Sequence, residues 1–520
     1  MTKPQVETYL IGVDLGTSSC KSVVMDSTGS VLGSGAALYP AEDMHSQWEE
    51  QDPESLVTAT IIAVREAIDS AGVPPDACTG LSVGGALHSL IALDGRDRPL
   101  TGVITWADNR AAPQATALRN THDVNVLYRQ TGCPVHSMYP LAKIIWLREE
   151  RPQIFDKAEW FISSKEYVTL RLTGSRVVDY AIAGASGLLD THALTWSEQA
   201  LELADIEPGQ LFELTDPLET IGKLNTDFAA AMGVGSTAPL ILGSGDAVNS
   251  SIGAGAVLEQ QVTCMVGSSG ALRVISSEPM LDPQERSWCY SIDSQHWLVG
   301  GAINNGGLAL EWLRDALNQG SAALSRETAL SFNELIDWAA QIEPGAQGLL
   351  CLPFLTGERS PHWNPNARAV LFGLTLQHDQ RHIARAVLEG VCFRLRSVLD
   401  VINETIGEPQ EVRASGGFTR SRLWLQVAAS VLDQEILVPS WGETSSLGAA
   451  FWAMLGAGHV STLEELGGLV EVATSYLPVE KETRIYSQLY AIYEEIYTSL
   501  RGAFDKMGAL QANFFDTTSG

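Results

Sequence analysis

The chain runs to 520 residues, more than one hydrophobic core usually supports, so two large domains are expected. Its 45% apolar and 18% charged content is that of an ordinary folded protein and excludes disorder beyond the ends. Acidic residues number 62 against 33 basic ones, and the formal charge of -29 repels nucleic acid and anionic membrane over most of the surface, so neither is an expected partner.

From the N-terminus, alternation predicts strands at Tyr9–Asp14, Lys21–Asp26 and Val31–Ala37, the last two joined by Ser27-Thr28-Gly29. The first two enclose a tight turn of glycine and hydroxyl residues in D-L-G-T-S-S-C-K (14–21). Such a turn aims backbone N–H groups and small hydroxyls at an anion. It is not a Walker P-loop: Cys20 stands where that loop needs glycine, and Lys21-Ser22-Val23-Val24-Met25 alternates as a strand where a helix is required. Asp14 then suits a water-mediated Mg2+ contact and Lys21 a phosphate contact. The competing reading is a plain hairpin. Helical spacing over Leu56–Ala71 and a buried strand at Gly80–Gly85 follow. This order of strands and helix resembles the opening of a ribonuclease-H-like domain, and the loop resembles that of the actin and sugar-kinase ATPases.

At 240–256 an apolar strand runs into a glycine-flanked turn carrying one carboxylate, Asp246. A turn at a strand end holds a carboxylate rigidly while facing it to a cleft, as a base for phosphoryl transfer to an alcohol requires. A cap for the helix starting near Ala247 is the alternative, and the two are compatible. The small residues Ile252 to Ala256 supply a crossing point, with a domain boundary near 257. The strand pattern restarts near Gln260, and V-G-S-S-G-A-L-R-V (266–274) repeats the first hairpin device. Two such turns suggest a polyphosphate, and the chain is expected to use ATP. The helical stretch at Glu443–Gly456 and the amphipathic end at Glu480–Phe504 are assigned to the second half, which closes at 505 before a tail over 506–520.

Cysteines at 20, 78, 133, 264, 289, 351 and 392 show no Cys-x-x-Cys or Cys/His clustering, favouring buried thiols over disulfides or a zinc site. Residues 1–8 have no apolar signal core, and no apolar run approaches the ~18 residues of a membrane span, so a cytoplasmic location is expected. A homodimer is compatible with the sequence, which does not fix an oligomeric state.

D-L-G-T-S-S-C-K (14–21), W-E-E-Q-D-P (48–53), Gly245-Asp246, G-E-R-S-P-H-W-N-P-N-A-R (357–368), S-G-G-F-T-R-S (415–421) and E-T-S-S-L-G-A-A (443–450) together resemble the FGGY family of carbohydrate kinases over nearly the whole chain. The resemblance implies an α/β fold of two ribonuclease-H-like, actin-like ATPase domains with the active site in the cleft between them. It implies Asp246 as catalytic base, Asp14 and Asp246 on the Mg2+ side, and Gly16, Thr17, Ser18, Lys21, Gly267 and Ser268 around phosphate. Gly307, Glu311, Gly417 and Ser421 resemble nucleotide-binding positions, although ordinary turn use explains such glycines as well. Glu358 and Arg359 are read as an ion pair between domains rather than as site residues.

For the substrate, Leu87, His88, Trp106, Asp108 and Arg110 offer an aromatic surface, donors and acceptors suited to a polyhydroxylated ligand. H-S-L-I-A-L-D, W-A-D-N-R, K-E-Y and V-D-Y-A-I-A-G-A-S-G-L-L-D are similar to the gluconate kinases of the family. Xylulose kinases tend to show Met-His-Gly, W-N-D-x-R and Asn after the catalytic Asp, whereas Ala247 follows Asp246 here, and Leu87, before His88, departs from the Met usual in both groups. D-gluconate is therefore the expected acceptor, with Arg110 or Lys165 meeting its carboxylate. A xylulose or other polyol kinase and a non-metabolic actin-like ATPase are the alternatives, and His88 also reads as a core histidine.

Overall fold

The computed structural model describes residues 7–40, 50–322 and 329–516. In chain order the elements that frame the two main sheets and the site include β1 (Tyr9–Leu15), β2 (Ser19–Asp26), β3 (Val31–Leu38), α1 (Pro53–Ala71), β4 (Cys78–Gly85), α2 (Ser164–Thr173), β5 (Thr220–Lys223), β6 (Pro239–Ile241) and α3 (Asp246–Gly253). They continue with β7 (Gln261–Val266), β8 (Gly270–Ser276), α4 (Gly307–Ala322), α5 (Gln380–Thr405), β9 (Glu411–Ser415), α6 (Arg422–Leu432), β10 (Ile436–Pro439), α7 (Thr444–Gly456), β11 (Val472–Tyr476) and α8 (Glu480–Asp516). Contacts group the chain into two compact units, Met1–Glu259 with Val274–Val299 and Glu443–Glu471, and Gln260–Arg273 with Gly300–Gly442 and Val472–Gly520.

The first unit carries a six-stranded sheet in the order β5-β6-β4-β1-β2-β3. β1, β2 and β3 form an antiparallel meander, and β4 runs parallel to β1. β1 can sit at the centre because Tyr9, Leu10, Ile11 and Val13 are apolar toward both faces and fully buried. α1 starts where the Asp52 carboxylate accepts the N–H groups of Glu54 and Ser55, and it stops at Gly72, whose φ of 69° suits glycine. In the second unit β8, β7, β9, β10 and β11 are adjacent in that order. β7, β9 and β10 are parallel, while β11 runs antiparallel to β10. The α/β fold with a meander-plus-parallel-strand opening agrees with the sequence reading.

Two assignments differ from that reading. The helix α7 falls in the first unit, not with the second half, because its small residues let it lie directly on α3. A Cβ added at Gly448 would stand 1.9 Å from the carbonyl oxygen of Asn249, and one at Gly253 would stand 1.9 Å from that of Thr444. Chain order does not reveal which sheet such a helix covers. The second difference is the tail: α8 continues to Asp516, held where Asn366 bonds Asp505 at 3.2 Å and Arg368 bonds Gln511 at 2.6 Å, with Phe504 buried. Residues 517–520 lie outside the described residues, as do Trp48 and Glu49 of W-E-E-Q-D-P.

The α3/α7 contact makes a stability test. Gly448→Ala should destabilise the protein by about 3 kcal/mol, although alanine favours an exposed helix by about 1 kcal/mol, because the methyl group has no space short of backbone displacement. An unchanged midpoint in denaturant would show that the helices are not in backbone contact. All seven cysteines are buried and free. Among the described residues no helix is long and apolar enough to cross a membrane.

Candidate active site

In the first unit the β1–β2 hairpin and the start of α3 bring acidic groups together. Asp14, the last residue but one of β1, is in register with Lys21 on β2, and the turn between the strands is closed by Gly16 N–H donating to Ser19 O at 3.1 Å. Asp246 is the first residue of α3, after Gly245, so its backbone starts at the positive end of the helix. The Leu87 N–H donates to Asp246 Oδ1 at 3.4 Å, and the Leu87 side chain packs against Gly245. Thus the expected base does sit at a helix start, although Gly245 rather than Asp246 occupies the cap position.

Asp14 is partly buried, and its buried Oδ1 has no hydrogen-bond partner. Burial first, then the nearby carboxylates of Asp246 and Glu443, push its pKa up to about 7 against the opposing pull of Lys21. An orphaned acidic oxygen beside like charge is what a cation would relieve. Among the described residues no group of three or more His, Cys, Asp or Glu is placed to hold a metal. A divalent ion here would therefore take one or two carboxylates and complete its shell with phosphate oxygens and water, which is the habit of Mg2+. The residues fit that ion.

Lys21 is met by Glu443, Nζ to Oε2 at 2.5 Å, with both side chains more than one-third exposed. Such a pair is worth only ~0–1 kcal/mol, so it holds the ammonium weakly. Glu443 opens the E-T-S-S-L-G-A-A motif, but nothing in its spacing linked it to Lys21. Thr17 is held from outside the turn: Trp106 Nε1 donates to its Oγ1 at 3.0 Å, and Gln51 Nε2 donates to its carbonyl. Ser18 accepts the N–H of Tyr39 at its carbonyl.

The expected substrate residues divide into two kinds. His88 has a left-handed φ of 66°, and its Nδ1 donates to the Ala185 carbonyl at 2.7 Å, since a carbonyl only accepts. Its ring meets Tyr139 and Tyr290 edge-on at 5.1 and 5.6 Å, and the two tyrosine hydroxyls bond at 2.9 Å. The sequence reading missed these tyrosines because neither belongs to its quoted motifs. Lys143, fully buried and also missed, donates to the carbonyls of His88 and Thr105 at 2.6 and 2.7 Å. Burial pulls its ammonium down to about 7, with Asp108 opposing.

Asp108 and Arg110 are buried partners. Arg110 donates to both Asp108 oxygens and to Glu50, and its guanidinium lies 5.1 Å from the Trp146 ring centroid. Lys165 pairs with Asp179 at 2.5 Å and bonds the Gly243 carbonyl at 2.8 Å, two residues before the turn that carries Asp246. Each cation expected to meet a substrate carboxylate is thus already matched by protein carboxylate. Lys165 braces the Asp246 turn instead.

In the second unit a cleft of about 890 Å³ is lined by Gly267, Ser268, Gly307, Glu311, Gly417 and Ser421, the six positions there that the resemblance singled out. The start of α4 is stitched to the β7–β8 turn: the N–H groups of Gly306, Gly307 and Leu308 donate to the carbonyls of Ser268, Gly267 and Ser268 at 2.9, 2.7 and 3.1 Å. Gly416 has φ 88°, and a Cβ there would meet Val266 O at 2.6 Å, so only glycine lets this wall approach. Ser421 caps α6 by accepting the Trp424 N–H, which leaves its cap role compatible with a ligand role.

Residues 9–253 match the N-terminal domain of the FGGY family of carbohydrate kinases, and residues 262–457 match its C-terminal domain. A gluconokinase of Bacillus subtilis (strain 168) is 33% identical over 507 residues, 97% of this chain and 98% of that one. Among solved structures, a gluconate kinase from Lactobacillus acidophilus is 32% identical with a TM-score of 0.89, covering 96% of this chain and 99% of its own. A ligand-bound xylulose kinase from the same organism gives 32% and 0.89, with 96% and 100% coverage.

Proposed function

Because this chain belongs to the FGGY family of carbohydrate kinases, we propose that it transfers the γ-phosphoryl group of ATP to the terminal hydroxyl of D-gluconate, giving 6-phosphogluconate and ADP. Phosphoryl transfer asks the protein for positioning and for charge stabilisation. Asp246, fixed at the start of α3, receives the proton of the attacking hydroxyl. Lys21 and the Thr17–Ser18 and Ser268 parts of the two turns face negative charge on the phosphates, while the Gly16 and Gly267 N–H groups close those turns on the Ser19 and Ser269 carbonyls. Mg2+, held by Asp14 and Asp246, would neutralise phosphate charge when bound. The Gly417 and Ser421 side of the second-unit cleft receives the nucleotide. His88, with Tyr139 and Tyr290 behind it, and Trp106 form the sugar side.

The observation carrying this reading is the Asp14–Asp246 pair, in which a partly buried acid with a buried, unpartnered oxygen stands beside a helix-start carboxylate. Gluconate as acceptor is supported by the gluconokinase at 33% identity over 97% of the chain. The xylulose kinase at equal structural similarity favours D-xylulose as the second reading.

Initial rates with MgATP and each acceptor decide between them. D-gluconate should exceed D-xylulose in kcat/KM by at least about tenfold, or ~1.4 kcal/mol of transition-state discrimination. A better rate on D-xylulose would replace the acceptor while leaving the kinase assignment in place.

A further inference from the structure

The segment G-E-R-S-P-H-W-N-P-N-A-R (357–368) was singled out by sequence, yet Glu358, Arg359 and their neighbours do not line the nucleotide cleft. Glu358 is not paired with the side chain of Arg359, as the sequence suggested. Its buried carboxylate pairs with the fully buried Arg394, Oε2 accepting from Nε at 3.2 Å, inside the second unit. Oε1 accepts two backbone N–H groups, from Asn304 at 2.7 Å and from Arg359 at 2.8 Å. Arg394 is held in turn by donating to the Ser360 carbonyl at 2.8 Å and to Ser397 Oγ at 2.9 Å.

The same segment grips Asn304 and Asn305 through side chains. Arg359 Nε donates to Asn304 Oδ1 at 2.7 Å, Asn304 Nδ2 to the Thr356 carbonyl at 3.1 Å, and Asn305 Nδ2 to the Gly357 carbonyl at 3.0 Å. One residue further on, Gly306 and Gly307 are bonded to the carbonyls of the phosphate-side turn at Ser268 and Gly267. There is no slack between them, since a Cβ at Gly306 would lie 2.4 Å from Ser269 O. A buried ion pair adds little net stability over an apolar pair of the same volume, so its use here points to geometry rather than to stability.

We propose that Glu358, clamped by Arg394, is a positioning residue for nucleotide: it fixes the Asn304–Gly307 turn, and through that turn the Gly267–Ser268 turn, at the spacing a polyphosphate requires. The proposal rests on reading the second-unit cleft as the nucleotide site.

The test is calorimetric titration of the full chain with MgADP, beside phosphorylation rates against ATP and sugar concentration. Glu358→Gln keeps size but removes the charge facing Arg394, while Asn304→Ala removes only the side-chain grip and leaves the ion pair. Both should weaken MgADP binding and raise KM for ATP by about tenfold, with KM for the sugar unchanged. If Glu358→Gln fails to fold, Asn304→Ala carries the test alone, with its melting midpoint as control. MgADP binding as tight as wild type in the folded variants, or equal damage to sugar and nucleotide, overturns the positioning role. If the wild-type protein itself binds no MgADP, the nucleotide reading of the cleft fails, and this proposal with it.

Discussion

Asp246→Asn should lower kcat by about 10^2 to 10^4 with the fold intact, because the amide keeps the size and the bond from the Leu87 N–H but cannot take up a proton. Circular dichroism and the denaturation midpoint serve as controls, and near-normal turnover would remove Asp246 as the base. The same variant has a second readout in the metal-free protein. Asp14 is raised to about 7 by burial first and by Asp246 second, so removing the Asp246 charge should lower its titration midpoint without restoring the ordinary value. The sign for stability follows. With its folded value above its unfolded one, Asp14 favours the folded state at low pH, and that contribution is lost as pH rises through about 7. The loss should be smaller in Asp246→Asn.

Lys21→Met should lower kcat/KM for ATP by about 10^2 while leaving sugar binding nearly unchanged, since it deletes one charged donor facing phosphate. The structure adds a reason to expect an intact fold. The Glu443 carboxylate left behind is 38% exposed and remains hydrated, so no uncompensated charge is buried. Equal losses for ATP and sugar would make Lys21 a structural residue.

Much of the candidate site was legible because its parts are local. A strand, a glycine turn and a returning strand are closed by bonds between near neighbours, so D-L-G-T-S-S-C-K and V-G-S-S-G-A-L-R-V read as hairpins before any tertiary information. The six second-unit positions came from motif resemblance, and the fold gathers them around one cleft. What was misread involves charge partners. Arg110 and Lys165 looked like cations awaiting a substrate carboxylate, but Asp108, Glu50 and Asp179 already neutralise them. In a chain with 62 acidic residues, an isolated Lys or Arg in the sequence says little about which acid it meets.

By itself, then, the sequence determined the α/β class, the two glycine-turn hairpins, the Asp246 turn and the kinase family, all properties of short segments whose residues are near neighbours along the chain. Only the tertiary structure decided that Glu443 meets Lys21 across 422 residues, that α7 lies on α3 in the first unit, and that Glu358 turns to Arg394 and Asn304. The physical reason is that local hydrogen bonding specifies elements, whereas ion pairs and backbone contacts depend on which faces the topology brings together.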